Sequence, residues 1–130
     1  MGIRVALALL GAFHILGGTV MIVSPDIWYV TAPGVTMTGP YNFHFIVDIG
    51  LIFVASGAGM MLSLRSGMAA FVLAGAIWPA LHALFHMLLW MHHGLPMDAK
   101  IAFAETVLVA GVGLAGLALA WVHAKRNGAI

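Results

Sequence analysis

The chain has 130 residues, of which 63% are hydrophobic and 7% are charged, with a mean hydropathy of +1.10. Soluble globular domains carry about 25% charged residues, so this composition predicts an integral membrane protein that works in or at the bilayer. The net charge of +1 includes only five Lys and Arg residues, too few for a nucleic-acid-binding surface. Because cysteine is absent, disulfides, thiolate ligands and iron–sulfur clusters are excluded.

Four long apolar stretches divide the chain. They lie near residues 3–23, 43–63, 69–91 and 99–122, and each is close to the roughly 20 residues that a helix needs to cross a bilayer. Residues 24–42 are rich in Pro, Gly and Thr and predict an ordered loop, whereas the other two connections are short and favour antiparallel neighbours. The sequence therefore predicts an all-α fold, with residues 1–130 forming one up-down-up-down four-helix bundle in the membrane.

The few cations indicate how the bundle is oriented. With these four spans, Arg4, Arg65, Lys125 and Arg126 fall on one side of the membrane, and Lys100 falls on the other. Cytoplasmic segments of membrane proteins carry an excess of Lys and Arg. The sequence therefore predicts that both termini face the cytoplasm.

Ionisable side chains are costly inside a membrane span, and several occur in the outer half of the predicted spans. His44 and Asp48 are four residues apart, as are His82 and His86, so each pair lies on one side of a helix. Glu105 falls at a similar depth on the fourth span. Convergence in the bundle interior would satisfy these groups at the lowest cost. The full set comprises His14, His44, Asp48, His82, His86, His93 and Glu105.

This set of side chains predicts a transition-metal site. Imidazoles four residues apart on a helix can chelate one ion, and carboxylates from neighbouring helices can complete or bridge the site. Iron and copper are the favoured metals, and zinc and manganese also fit. Pro79 disrupts the helix one turn before His82 and can re-aim the histidines that follow. The predicted metal ligands are His44, Asp48, His82, His86, His93 and Glu105, with His14 beneath them as a further ligand or as a partner of one.

Three other interpretations of the histidines stay open. In the first, His14 or His44 faces His82 or His86, and the two imidazoles bind a haem b. In the second, histidines and carboxylates form a quinone-linked or proton-relay site without a metal. In the third, each histidine makes an interhelical hydrogen bond in a structural accessory subunit. His123, beside two cations, is predicted to be exposed at the cytoplasmic surface.

The sequence leaves open whether the protein is an enzyme. An iron or copper site between helices would suit oxidation of a hydrophobic small molecule with oxygen, and a redox accessory subunit without turnover fits equally well. Ala55 with Gly59, and Gly111 with Ala115, are small residues four apart that allow close helix approach within the bundle or between subunits. The predicted partners are the lipid bilayer, a hydrophobic small molecule, and either further copies of this chain or a larger membrane complex.

The chain contains the motifs Gly39-Pro40-Tyr41-Asn42, His44, Asp48-Ile49-Gly50, Phe85-His86 and His93-Gly94-Leu95-Pro96. Together they resemble a family of short four-span bacterial membrane proteins that is common in actinobacteria. The family pattern has a polar residue where this chain has Phe43 and an Arg where it has Val47. Its Pro also stands next to the His, whereas here Pro79 lies three residues before His82. The resemblance implies a four-span topology in a bacterial inner membrane, and it implies no reaction. The polar positions that the resemblance implies are His44, Asp48, His82, His86 and His93.

Overall fold

A computed structural model of the protein describes residues 2–130. Over that part of the chain the fold is helical, with no strand. Four helical segments are long and apolar enough to cross a membrane, and the fourth changes between α- and π-helical geometry along its length. The elements are α1 (Gly2–Val23), α2 (Pro25–Thr31), a 3-10 turn (Val35–Met37), α3 (Phe43–Leu62), α4 (Phe71–His93) and a fourth span made of α5 (Ala99–Phe103), a π-helical segment (Ala104–Gly111) and α6 (Val112–Arg126).

Local sequence signals explain where the helices begin and end. Asn42 begins α3 because its side-chain oxygen accepts a hydrogen bond from the Phe45 amide at 3.1 Å. Asp98 begins α5 in the same way, accepting from two amides of the first turn. Gly94 ends α4 with a φ of 78°, a conformation that glycine adopts at little cost. The four spans consequently end within four residues of the predicted boundaries.

The four spans form an antiparallel bundle in chain order. α1 packs along α3, α3 along α4 and α4 along the fourth span, while α1 also contacts α6. We call the end that carries both termini and the turn between α3 and α4 the terminal end. The opposite end, with segments 24–42 and 94–98, is the loop end. This arrangement confirms the predicted up-down-up-down four-helix membrane bundle.

The bundle is tight at the terminal end and opens toward the loop end. No residue of α4 after Ala83 is buried, and among residues 99–111 only Ala110 is buried. In α1 and α3, by contrast, Met21 and Ile46 are still buried near the loop end. The spans therefore form two pairs, α1 with α3 and α4 with the fourth span, that separate toward the loop end. The core that joins the pairs consists of Leu7, Met60, Val72, Ala76, Ala120 and Ala124.

Glycines allow the closest contacts between helices. A Cβ atom on Gly57 of α3 would lie 2.5 Å from the Gly11 carbonyl oxygen of α1, so a larger residue would push the two helices apart. Gly59 likewise packs against Gly75 of α4, where an added Cβ would lie 3.0 Å from the Gly75 backbone. The other small residues predicted for close approach are exposed, namely Ala55, Gly111 and Ala115.

His123 does not lie on the surface. It is 3% exposed, and its Nε2 lies 3.2 Å from the carbonyl oxygen of Ser63 at the end of α3. The prediction of an exposed His123 is wrong because α6 continues to Arg126 and so keeps His123 inside the bundle. The histidine therefore links the fourth span to α3 at the terminal end.

Candidate functional site

One side of α4 carries four rings spaced four residues apart, Trp78, His82, His86 and Trp90. Residues at this spacing lie above one another on a helix. The Trp78 and His82 rings are stacked, with centroids 5.0 Å apart and planes inclined by 9°. The His82 and His86 rings meet edge to face with centroids 4.8 Å apart. The row therefore brings two imidazoles into contact in the loop-end half of α4.

Glu105 meets this row from the fourth span. Its Oε2 accepts a hydrogen bond from Trp90 Nε1 at 2.7 Å and lies 3.6 Å from His86 Nδ1. The His86 and Glu105 side chains are 19% and 22% exposed, so their contact is largely shielded. Glu105 also belongs to the π-helical segment, a geometry frequently found at functional sites. We call His82, His86, Trp90 and Glu105 the His–Glu cluster.

His86 Nδ1 is buried but has no hydrogen-bond partner among the described residues. Its 3.6 Å distance to Glu105 Oε2 is too long for an N–H···O hydrogen bond, which normally measures about 2.7–3.2 Å. A buried polar atom without a partner costs about 1–3 kcal/mol. This nitrogen therefore marks a point where a bound ion, or a closer approach of Glu105, would lower the free energy.

His14 lies one aromatic layer away from the His–Glu cluster. It is 2% exposed, and its Nδ1 donates to the Leu10 carbonyl oxygen at 2.7 Å. Its ring packs against Phe53, with centroids 5.5 Å apart, and Phe53 packs in turn against Trp78 at 5.1 Å. A cavity of about 20 Å³ lies among these rings and His82, enough for about one water molecule. Phe53 and Trp78 therefore separate His14 from the histidines of α4.

The other predicted ligands lie outside the His–Glu cluster. His44 and Asp48 are exposed on α3, and His93 is exposed at the end of α4. On an ideal helix Asp48 lies within about 20° of Gly59, which contacts α4, so Asp48 is on the side from which α4 has moved away. As the side chains stand, no three His, Asp or Glu residues between 2 and 130 are grouped closely enough to hold a metal ion. The structure brings together only part of the predicted ligand set: His82, His86 and Glu105.

The long loop between α1 and α3 reaches the site. Gly34 has a φ of 83°, and a Cβ atom there would lie 3.1 Å from Ile101 Cγ2 and 3.9 Å from Glu105 Oε1. The Tyr29 hydroxyl donates to the Gly39 carbonyl oxygen at 2.8 Å and holds the ends of this loop together. The loop therefore crosses from the α1–α3 pair to the fourth span and covers Glu105 from the loop end.

A haem between His14 and the histidines of α4 would need far more space than this region provides. Pockets for cofactors and other small ligands measure about 300–1,000 Å³. The cavity beside His14 and His82 measures about 20 Å³, because Phe53 and Trp78 fill the space between them. Haem binding there would require both aromatic rings to leave the interior.

Sequence reasoning did not select the aromatic residues of the site. Trp78 lies four residues before His82 and Trp90 lies four residues after His86, so their spacing is a signal that could have found them. Phe53 belongs to α3, and only the packing of α3 on α4 brings it to Trp78. The π-helical geometry around Glu105 has no comparable sequence signal.

The fold and the site together define a multi-pass four-helix membrane protein with a histidine–carboxylate cluster in the loop-end half of its bundle. No protein-family model matches the chain, and no curated protein or solved structure is significantly similar to it.

Proposed function

We propose that the protein binds one transition-metal ion through His82, His86 and Glu105, with iron or copper favoured and zinc also fitting. The observation that carries this proposal is the buried, unpartnered Nδ1 of His86, 3.6 Å from Glu105 Oε2. Two imidazoles and one carboxylate form a ligand set that these metals accept, with further coordination positions left for water or oxygen.

Rotation of these side chains would be needed to bring all three onto one ion. The His82 and His86 centroids are 4.8 Å apart, and imidazole nitrogens bind zinc at about 2.1 Å, so one ion can reach both rings after they rotate. Glu105 Oε2 would then bind the ion and would no longer accept the hydrogen bond from Trp90. Metal ligands are commonly held by a further hydrogen bond, and Trp90, which already donates to Glu105, would supply one if the carboxylate turned its other oxygen toward the indole N–H.

Iron or copper in this position would supply redox chemistry or oxygen activation. The cavity of about 20 Å³ beside His82 has room for a small molecule of the size of water. The two helix pairs separate toward the loop end, and this opening would expose the loop-end half of α4, in which no residue after Ala83 is buried, to lipid. A hydrophobic small molecule would therefore approach the cluster from the bilayer through this opening.

We further propose that the protein resides in a bacterial inner membrane with its terminal end in the cytoplasm. Arg4, Arg65, Lys125 and Arg126 lie at the terminal end, and Lys100 lies at the loop end. This asymmetry supports the orientation because cytoplasmic segments carry the excess of cations. The His–Glu cluster would then lie in the half of the membrane that faces away from the cytoplasm.

We also propose that the chain associates with further copies of itself or with a larger membrane complex. Gly111 and Ala115 are exposed four residues apart, a spacing at which small residues let another helix approach closely. Asp48 is exposed within α3, where a charged side chain in contact with lipid is costly and gains from a polar partner.

Electron paramagnetic resonance of the copper-loaded protein tests the ligand set. Cu²⁺ added to tag-free protein in detergent is expected to give a spectrum with hyperfine coupling to two imidazole nitrogens, because His82 and His86 are within reach of one ion. His82→Ala should reduce the coupling to one nitrogen. His92→Ala, which removes an exposed histidine from the same helix, should leave the spectrum unchanged. If the spectrum of His82→Ala were the same as that of the wild type, the assignment of His82 as a ligand would be refuted.

A further inference from the structure

A second and much larger cavity lies at the terminal end of the bundle, far from the His–Glu cluster. It measures about 580 Å³ and is formed by the start of α1, the turn between α3 and α4, and the residues that follow α6. Arg4 and Arg65 both line it, together with small polar residues. Since α3 ends at Leu62 and α4 begins at Phe71, the cavity lies at the level of the membrane surface. Its polar lining consists of Arg4, Ser63, Arg65, Ser66 and Asn127.

The charge around this cavity is positive. Lys125 and Arg126 lie in the last turn of α6, so four of the five Lys and Arg residues lie at this end of the bundle. The side-chain carboxylates lie elsewhere, since Asp26, Asp48, Asp98 and Glu105 all belong to the loop-end half of the chain's elements. An anion in the cavity would therefore meet several cations and no opposing acidic side chain.

The two arginines that line the cavity have donors available for a ligand. Arg4 donates to the Leu64 carbonyl oxygen at 2.6 Å, which fixes its guanidinium over the turn and leaves its other N–H groups free of protein acceptors within residues 2–130. Arg65 makes no ion pair in the same part of the chain. The first three amides of α4 already donate to backbone carbonyl oxygens, so the two arginines are the donors that a ligand in the cavity would meet.

We infer that this cavity binds a phosphate group, either on the head of an anionic phospholipid or on a soluble phosphate compound. The arginine fork matches phosphate oxygens in a bidentate way, and basic pockets between spans at a membrane surface are a recurrent place for anionic head groups. The inference is independent of the metal site, because the two regions share no residue.

Native mass spectrometry of the full chain in detergent tests the inference. The protein is incubated with phosphatidylglycerol or, separately, with phosphatidylcholine, and the fraction that retains one lipid is measured. We expect at least about fivefold greater retention of phosphatidylglycerol. Arg65→Gln should lower that retention about fivefold, whereas Arg126→Gln, which removes the same charge outside the cavity lining, should change it less than about twofold. Arg65 is exposed, so its loss should not disturb folding.

A competition experiment with inorganic phosphate distinguishes a lipid head group from a soluble phosphate compound as the ligand. If millimolar inorganic phosphate displaces phosphatidylglycerol from the wild type, the cavity takes soluble phosphate compounds; if it does not, the acyl chains contribute and the ligand is a lipid. Both results support a phosphate site. Equal retention of the two lipids would overturn the inference, because binding would then not depend on the negative charge of the head group. Equal losses in Arg65→Gln and Arg126→Gln would also overturn it, because binding would then follow overall charge and not this cavity.

Discussion

Replacing His86 with alanine is expected to remove most of the metal that the protein binds, while the protein still inserts and remains monodisperse. The substitution deletes the ring between His82 and Glu105, so the two other ligands lose the donor that lies within 3.6 Å of the carboxylate. Loss of a hydrogen-bonding partner of a metal ligand typically weakens metal binding about 10–100-fold, and loss of a ligand should cost at least as much. Elemental analysis scaled to protein concentration measures the effect.

His92→Ala is the matched control for this experiment. It deletes the same kind of ring from the same helix at an exposed position outside the His–Glu cluster, so its metal content should equal that of the wild type. If the histidines are only interhelical hydrogen-bonding groups, His86→Ala should instead leave the composition unchanged and lower stability by about 0.6–2 kcal/mol. Full metal content in His86→Ala would count against the assignment.

Gly18→Ala is expected to destabilise the bundle by about 1–3 kcal/mol, although alanine favours helix formation over glycine. The added Cβ would lie 2.5 Å from the Gly50 carbonyl oxygen, 2.8 Å from Phe53 Cβ and 2.9 Å from the Val54 amide nitrogen. None of these atoms can move away without a shift of the α3 backbone. Because Phe53 contacts both His14 and Trp78, the shift should also disturb the packing beneath His82. Unfolding by denaturing detergent measures the loss of stability.

The neighbouring glycine provides the control. A Cβ on Gly17 would meet only Phe53 Cδ1, at 3.9 Å, which is an ordinary van der Waals contact. Gly17→Ala should therefore keep or slightly raise the stability, by at most about 1 kcal/mol. If the two substitutions destabilised the bundle equally, the close contact between α1 and α3 at Gly18 would not be the cause of the loss of stability.

The sequence was sufficient for the fold because hydropathy and length act locally. A run such as residues 43–63 has no alternative to a spanning helix, and Asn42 and Asp98 cap their helices wherever the bundle places them. The separation of the two helix pairs could not be predicted from such local signals. It depends on where glycines such as Gly59 and Gly75 bring backbones together, and those contacts lie toward the terminal end.

The candidate site was only partly predictable for the same reason. His82 and His86 share one side of α4 by spacing alone, and Glu105 lies at a matching depth on the helix that packs against α4. His44 and Asp48 were expected to join them, but α3 and α4 have diverged at that depth, and both side chains are exposed. The resemblance to a family of four-span bacterial proteins stays a prediction.

Elemental analysis by mass spectrometry tests whether the bundle holds a metal ion. The wild-type protein is purified in detergent without a His tag or chelators, and its metal content is scaled to protein concentration by amino-acid analysis. We expect iron, copper or zinc at about one equivalent, because the proposed site consists of one set of donors, His82, His86 and Glu105. No metal above background, even after incubation of the protein with each ion, would contradict a metal site in this bundle.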